Sequence, residues 1–182
     1  MTPPANTAAN GPAGWAAILD PDETIQWQGR PDARVTWKLA YIATFLFGLA
    51  FAGFALFWMV MASQAGGGFW MFGLIHFSAG LGIAIGPPFW SAFSRRHTWY
   101  TLSNRRAFIA TDKPFIGRRL KSYPITDETS IDYEPGPLAT LHFAQETRRT
   151  KNGSRQVPIG FERISDGDEV YRQVREIQRG AQ

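Results

Sequence analysis

The sequence predicts an α+β membrane protein, in which a two-helix transmembrane hairpin is joined to an antiparallel β domain that ends in a single helix. Three observations carry this. In a chain of 182 residues, no Asp, Glu, Lys or Arg occurs from Leu39 through Ser94. From Trp99 onward the pattern changes to short β-rich runs separated by turn residues. The last segment, "SDGDEVYRQVREIQR", repeats its apolar residues at helical spacing.

Residues 1–18, opening "MTPPANTAANGPAG", form a Pro, Ala, Asn and Gly tail without the basic start and apolar centre of a signal peptide, and are expected to be disordered. A lead-in follows over 19–36. Within it Ile25 and Trp27 alternate along a short strand, Glu23 to Gln28, that Gly29 and Pro31 terminate. A strand this short needs a partner, and both flanks of a helical hairpin emerge on one side of a membrane. The strand is therefore expected to lie beside the β domain, where it adds to an edge or covers the membrane-facing mouth, with Trp27 as a hydrophobic plug and not a ligand-stacking ring.

Two spans are predicted within 37–94. Leu39 to Ala62 exceeds the ~20 residues needed to cross a hydrocarbon core of ~30 Å, and a second apolar run ends at Phe93 beyond the neutral loop "SQAGGG". A charged residue at a span centre would cost ~2.5–3.5 kcal/mol, and neither span has one. Trp37, Tyr41, Trp58, Trp70 and Trp90 fall near the span boundaries, the depth that amphipathic rings prefer. Arg30, Arg34 and Lys38 precede the first span, while Arg95, Arg96, Arg105 and Arg106 follow the second. The positive-inside rule then places both termini in the cytoplasm. Gly48 with Ala52, and Ser78, Gly82 and Gly86, recur every fourth residue. Small residues so spaced let helices approach closely, which points first to packing of the two spans on each other and second to dimerisation. Pro87 and Pro88 are expected to kink or end the second helix.

The β domain, 95–182, begins with the runs "TWYTLS" and "RRAFIAT", joined tightly at Ser103 and Asn104. Four more follow: "RRLKSYPI", "TSIDYE", "LATLHFAQ" and "RQVPIGF". Pro135 to Pro137 break one pair, and Asn152–Gly153 suits a turn needing positive φ. Val170, Val174 and Ile177 lie on one face of the closing helix, with Ser165 as candidate N-cap.

The absence of cysteine excludes disulfides, thiolate nucleophiles and thiolate metal sites. The three histidines, His76, His97 and His142, are not at ligand spacing, so no metal or other cofactor is expected. His76 falls inside the second span with no acidic partner in either span, which favours a neutral imidazole bonded to a carbonyl or to a polar group on the other helix over a proton relay. Asp127, Glu128, Asp132 and Glu134 are the dense carboxylates. Alternation of Asp132 and Glu134 with Ile131 and Tyr133 puts them on a wet strand face, so no catalytic residue is assigned. A net charge of +4 suits nucleic acid or an anionic membrane. Single-strand binders stack bases on rows of aromatics, and only Tyr100 and Phe108 qualify here, so nucleic acid is not an expected partner. The basic residues Arg95, Arg96, Arg105, Arg106, Arg118, Arg119 and Lys121 instead form a candidate surface for the bilayer or a partner. The tip "TRRTKNGSR" adds Arg148, Arg149, Lys151 and Arg155.

The motif "YTLSNRRAFIA" resembles the Tyr-x-Leu-Thr-Asn-x-Arg hairpin of bacterial pleckstrin-homology-like membrane proteins, through Tyr100, Leu102, Ser103, Asn104 and Arg106. "LDPDETIQWQGRP" looks like that family's lead-in, through Leu19, Pro21, Glu23, Trp27, Gly29 and Pro31. The resemblance spans Leu19 to Gln178. It implies a split β roll closed by the terminal helix, in the bacterial inner membrane, with an interaction role and no catalytic residues. The partners expected are the lipid bilayer, with anionic phospholipid, and a protein or a second copy of the chain. An enzyme acting on lipid or a lipid-linked substrate is the alternative, which would require an inward-facing polar cluster. Phosphoinositide pockets use a long basic loop between the first two strands, for which Ser103 and Asn104 leave no room.

Overall fold

The computed structural model describes residues 15, 17–114, 116–150 and 153–181. The chain is α+β and divides into two compact units. One comprises the chain up to Asp32 together with Arg95–Gln182, and the other Ala33–Ser94. The stretch 19–36, read from sequence as a separate lead-in, is thus divided between them.

The second unit is a helical hairpin. Helix α1 spans Ala40–Gln64; a 3-10 turn, Phe69–Phe72, leads into α2, Gly73–Arg96. Both are long and apolar enough to cross a membrane. Gly66 and Gly67, each at φ +78°, allow the reversal between them, since a side chain is strained there. Small residues bring the helices together. A Cβ on Gly48 would stand 2.7 Å from the Gly80 carbonyl oxygen, and one on Gly80 2.7 Å from the Ala52 nitrogen. Gly48 and Ala52 thus pack as expected, but their partners are Gly80 and Ala84. Gly82 and Gly86 meet open space, and Ser78 is exposed. The expected stripe lies roughly opposite on the helix because small residues also occur at 80 and 84, four apart on another face. Pro87 and Pro88 do not end α2, which continues to Arg96.

The first unit holds two antiparallel sheets and one helix. Its strands are β1 Ile25–Gly29, β2 Thr98–Ser103, β3 Arg106–Lys113, β4 Gly117–Pro124, β5 Asp132–Glu134, β6 Ala139–Thr150 and β7 Gly153–Ile164, and α3 is Gly167–Gly180. One sheet has the order β1-β2-β3-β4 and the other β5-β6-β7. Trp27, Tyr100, Leu102, Leu141, Phe143 and Phe161 from the two sheets meet Val170, Val174 and Ile177 of α3 in one core. The strand before the helices does join the sheet edge, Gly29 pairing with Tyr100 and Ile25 with Ser103. The tight turn at Ser103–Asn104 therefore joins the second and third strands, and β1 reaches β2 only through the helical hairpin. The connection between the first two strands of the sheet is the helical hairpin, not the Ser103–Asn104 turn.

Two local expectations change. Trp15 belongs to no loose tail: its ring meets Phe108 edge-on at 5.2 Å, covering the sheet face opposite Ala107. Ala17 and Ile18 follow it in a turn, the Ile18 N–H donating to the Trp15 carbonyl at 2.9 Å, while residues 1–14 and 16 of that expected tail lie outside the described residues, as does Asn152 of the predicted β6–β7 turn. Gly153 beside it has φ +123°. Asp166, not Ser165, is the N-cap of α3, and it caps no backbone N–H. Its carboxylate instead accepts the Trp27 indole N–H.

Candidate functional site

The residues that carry the family resemblance converge at the end of the sheet where β2 turns into β3. Glu23, its side chain inaccessible to solvent, accepts the Ser103 hydroxyl at 2.5 Å. It also accepts Arg106 Nε at 3.1 Å, Arg106 Nη2 at 2.6 Å and the Asp20 backbone N–H at 2.9 Å. Asn104 adds both backbone and side chain: its N–H donates to the Thr24 carbonyl, its Oδ1 accepts the Thr24 N–H, and its Nδ2 donates to the Asp22 carbonyl. Burial works to raise the Glu23 pKa, but the hydrogen bonds from Arg106, Ser103 and Asp20 outweigh it and hold the carboxyl at about 2. The same contacts push the Arg106 pKa up. This is a latch that ties the segment before the helices to the first hairpin after them.

The remaining motif residues are packing elements. Trp27 meets Phe161 at 5.3 Å between ring centroids, and Tyr100 meets Phe161 at 4.8 Å. The Tyr100 hydroxyl accepts the Glu162 N–H, and burial raises its pKa. Gly29 leaves room for the Trp27 ring, whose Cη2 would lie 2.6 Å from an added Cβ. Leu102 is fully buried and Pro31 is buried.

The basic set does not form one surface. Arg95 is buried and donates through Nε to the Asp32 carbonyl at 2.8 Å, and Arg106 is held in the latch. Neither is available as a free surface cation. Arg105 is exposed but separated from Arg96 by the whole of β2, which at ~3.3 Å per residue is roughly 20 Å. Sequence proximity concealed this, because an extended strand carries its two ends furthest apart. Lys121 is tied to Glu146 at 2.6 Å, and Glu146 also accepts the Tyr123 hydroxyl, which holds its carboxyl below the usual range. Arg118 and Arg119 are exposed on β4. On the β6–β7 arm Arg148 lies directly across from Arg155, while Lys151 is outside the described residues.

Strand register collects a different group. β3 and β4 run past the start of β2: Thr98 pairs with Thr111, and Lys113 pairs with Gly117 two rungs further on. Lys113, Arg118 and Arg119 therefore share the sheet end at which β1 finishes and β2 begins, together with exposed Ile116. Lys113 was missed in the sequence because it stands alone, five residues before the next cation.

The carboxylates Asp127, Glu128, Asp132 and Glu134 are all exposed. His142 Nδ1 lies 3.9 Å from Asp132 across β5 and β6. Among the described residues no group of three His, Cys, Asp or Glu could hold a metal ion. His76 Nδ1 approaches the Phe72 carbonyl at 3.4 Å, beside an aromatic cleft of about 210 Å³ formed with Phe51, Trp58 and Phe72. Compared with protein-family models, curated proteins and solved structures, the chain matches none.

Proposed function

We propose that this chain is a two-pass protein of the bacterial inner membrane, with both termini in the cytoplasm, and that its β unit is a pleckstrin-homology-like interaction module without catalytic chemistry. The module works at the cytoplasmic face, where its ligands are the anionic membrane surface or a protein held there.

The observation that carries this reading is the path of the chain. It leaves the sheet at the end of β1, runs through two apolar helices, and returns at the start of β2, whose Tyr100 pairs with Gly29. An apolar hairpin inserted between paired neighbouring strands returns the chain to the side it left, which suits a membrane anchor for a folded unit. Helices of 25 and 24 residues, about 37 and 36 Å long, exceed the ~30 Å hydrocarbon core. Basic residues border both ends of the hairpin, and its loop is neutral. The polar residues of the resemblance motifs support a binding role over a catalytic one, because Glu23, Ser103, Asn104 and Arg106 spend their hydrogen bonds on the latch.

The chain has no cysteine, so single labels are unambiguous. A cysteine at Ser63 should react with an impermeant thiol reagent added outside intact inner-membrane vesicles of native orientation, and one at Ser154 should react only after permeabilisation. The reverse pattern would overturn both the orientation and the cytoplasmic module.

A further inference from the structure

We infer that the β3–β4 hairpin end is the surface through which the β unit touches the bilayer, with Ile116 entering the headgroup layer and Lys113, Arg118 and Arg119 engaging anionic phospholipid. This rests on the membrane reading above and names the surface it uses.

Register makes the geometry definite. The rung Lys113–Gly117 lies two residues beyond Thr98–Thr111, and the Asp112 N–H continues the ladder by donating to the His97 carbonyl at 3.0 Å. The hairpin thus projects roughly 7 Å past the level at which β2 begins. Only His97 separates β2 from Arg96, the last residue of α2. A helix longer than the hydrocarbon core delivers its end into the headgroup layer, which is about 5–8 Å deep on each side. A hairpin reaching that far beyond the first residue of β2 is within reach of the same layer.

Composition fits that depth. Ile116, in the turn just before β4, is 49% exposed, and Leu120, on the edge strand β4, is 41% exposed. Gly117 at φ +86° makes the turn that presents Ile116. Around them three cations stand against one carboxylate, Asp112, which pairs with Arg118 at 2.9 Å and leaves Lys113 and Arg119 without an ion pair among the described residues. An apolar residue between unpaired cations is complementary to an anionic surface over an apolar interior. It is less suited to water, where Ile116 and Leu120 gain nothing, and the β2–β3 turn at the other end of the sheet has no such apolar pair.

The test uses the full chain reconstituted in vesicles of phosphatidylcholine alone or mixed equally with phosphatidylglycerol, carrying one fluorophore on Ile116→Cys, Arg105→Cys or Phe54→Cys. Phe54, on α1, reports the spans, and Arg105 reports the opposite end of the sheet. Lipids brominated near the headgroup should quench the Ile116 label at least about twofold more than the Arg105 label when phosphatidylglycerol is present. The excess should shrink when salt is raised to about 1 M, where the Debye length falls to ~3 Å. It should also shrink in Lys113→Ala/Arg119→Ala, with the Arg105 signal unmoved as a check on folding. If deep-brominated lipid quenches Phe54 while Ile116 behaves like Arg105, this proposal fails with the membrane reading intact, and the hairpin end is left for a protein partner. If Phe54 is unquenched by lipid brominated at any depth, the membrane reading itself fails and takes this proposal with it.

Discussion

At the scale of single residues, Glu23 is the most constrained ionisable group in the β unit. Its folded pKa lies below the ordinary 4.5, so the stabilisation is fully present above 4.5 and is lost as pH falls toward 2. A shift of that size corresponds to about 3 kcal/mol. Glu23→Gln should therefore lower thermal stability at neutral pH and flatten the loss of stability that the unaltered protein shows between pH 5 and 3. A parallel acid loss in both proteins would show that the latch carriage is not electrostatic. Trp27 tests a different contribution. It is buried against Phe161 and donates its indole N–H to Asp166, so Trp27→Ala should cost ~3–5 kcal/mol in chemical or thermal unfolding. Trp27→Phe should cost less, since an aromatic ring stays in the core and only the hydrogen bond is lost.

At the scale of elements, close approach of backbones decides two contacts. In the sheet, a Cβ on Gly160 would lie 2.6 Å from the His142 Cα and closer still to the Leu141 carbonyl, at a place where the β6–β7 register shifts. Backbone cannot move aside as a side chain can, so Gly160→Ala should destabilise the unit by about 1–3 kcal/mol, read by thermal melting. In the helical hairpin, Gly80 and Gly82 differ by two positions and face different surroundings. Gly80→Leu should lower the melting temperature in detergent because Ala52 occupies the space, whereas Gly82→Leu should leave it unchanged. An equal loss at Gly82 would mean that its face is covered by another molecule.

At the scale of the whole molecule, the β unit is discontinuous in sequence. β1 supplies Trp27 to the core and an edge to β2, and the latch crosses the same gap. Residues 95–182 alone should therefore fail to unfold cooperatively. Residues 15–32 joined by a short Gly/Ser linker to 95–182 should restore a cooperative thermal transition, because the Arg95 side chain already bonds the Asp32 carbonyl at 2.8 Å and the ends to be joined lie close. Cooperative melting of 95–182 by itself would show that β1 is an accessory strand.

What the sequence determined by itself was the set of elements. The uncharged run specified two long helices because composition over twenty residues is a local property, and the alternating runs and turn residues marked seven strands and the closing helix for the same reason. That β1 lies beside the β domain also followed, since an orphan strand with Ile25 and Trp27 has to bury them somewhere, but its pairing with the β2 edge over the mouth of the domain did not. Tertiary structure decided which groups meet. It put Glu23 on Ser103 and Arg106 some eighty residues away, chose Gly80 and Ala84 over Gly82 and Gly86, and buried Arg95. It divided the basic cluster of 95–106 between opposite ends of β2 and gathered Lys113 with Arg118 and Arg119 at one of them. Charge reads the same in a sequence whether a residue faces solvent, core or another strand. Strand register and packing fix that direction, and both arise from contacts between residues far apart in the chain.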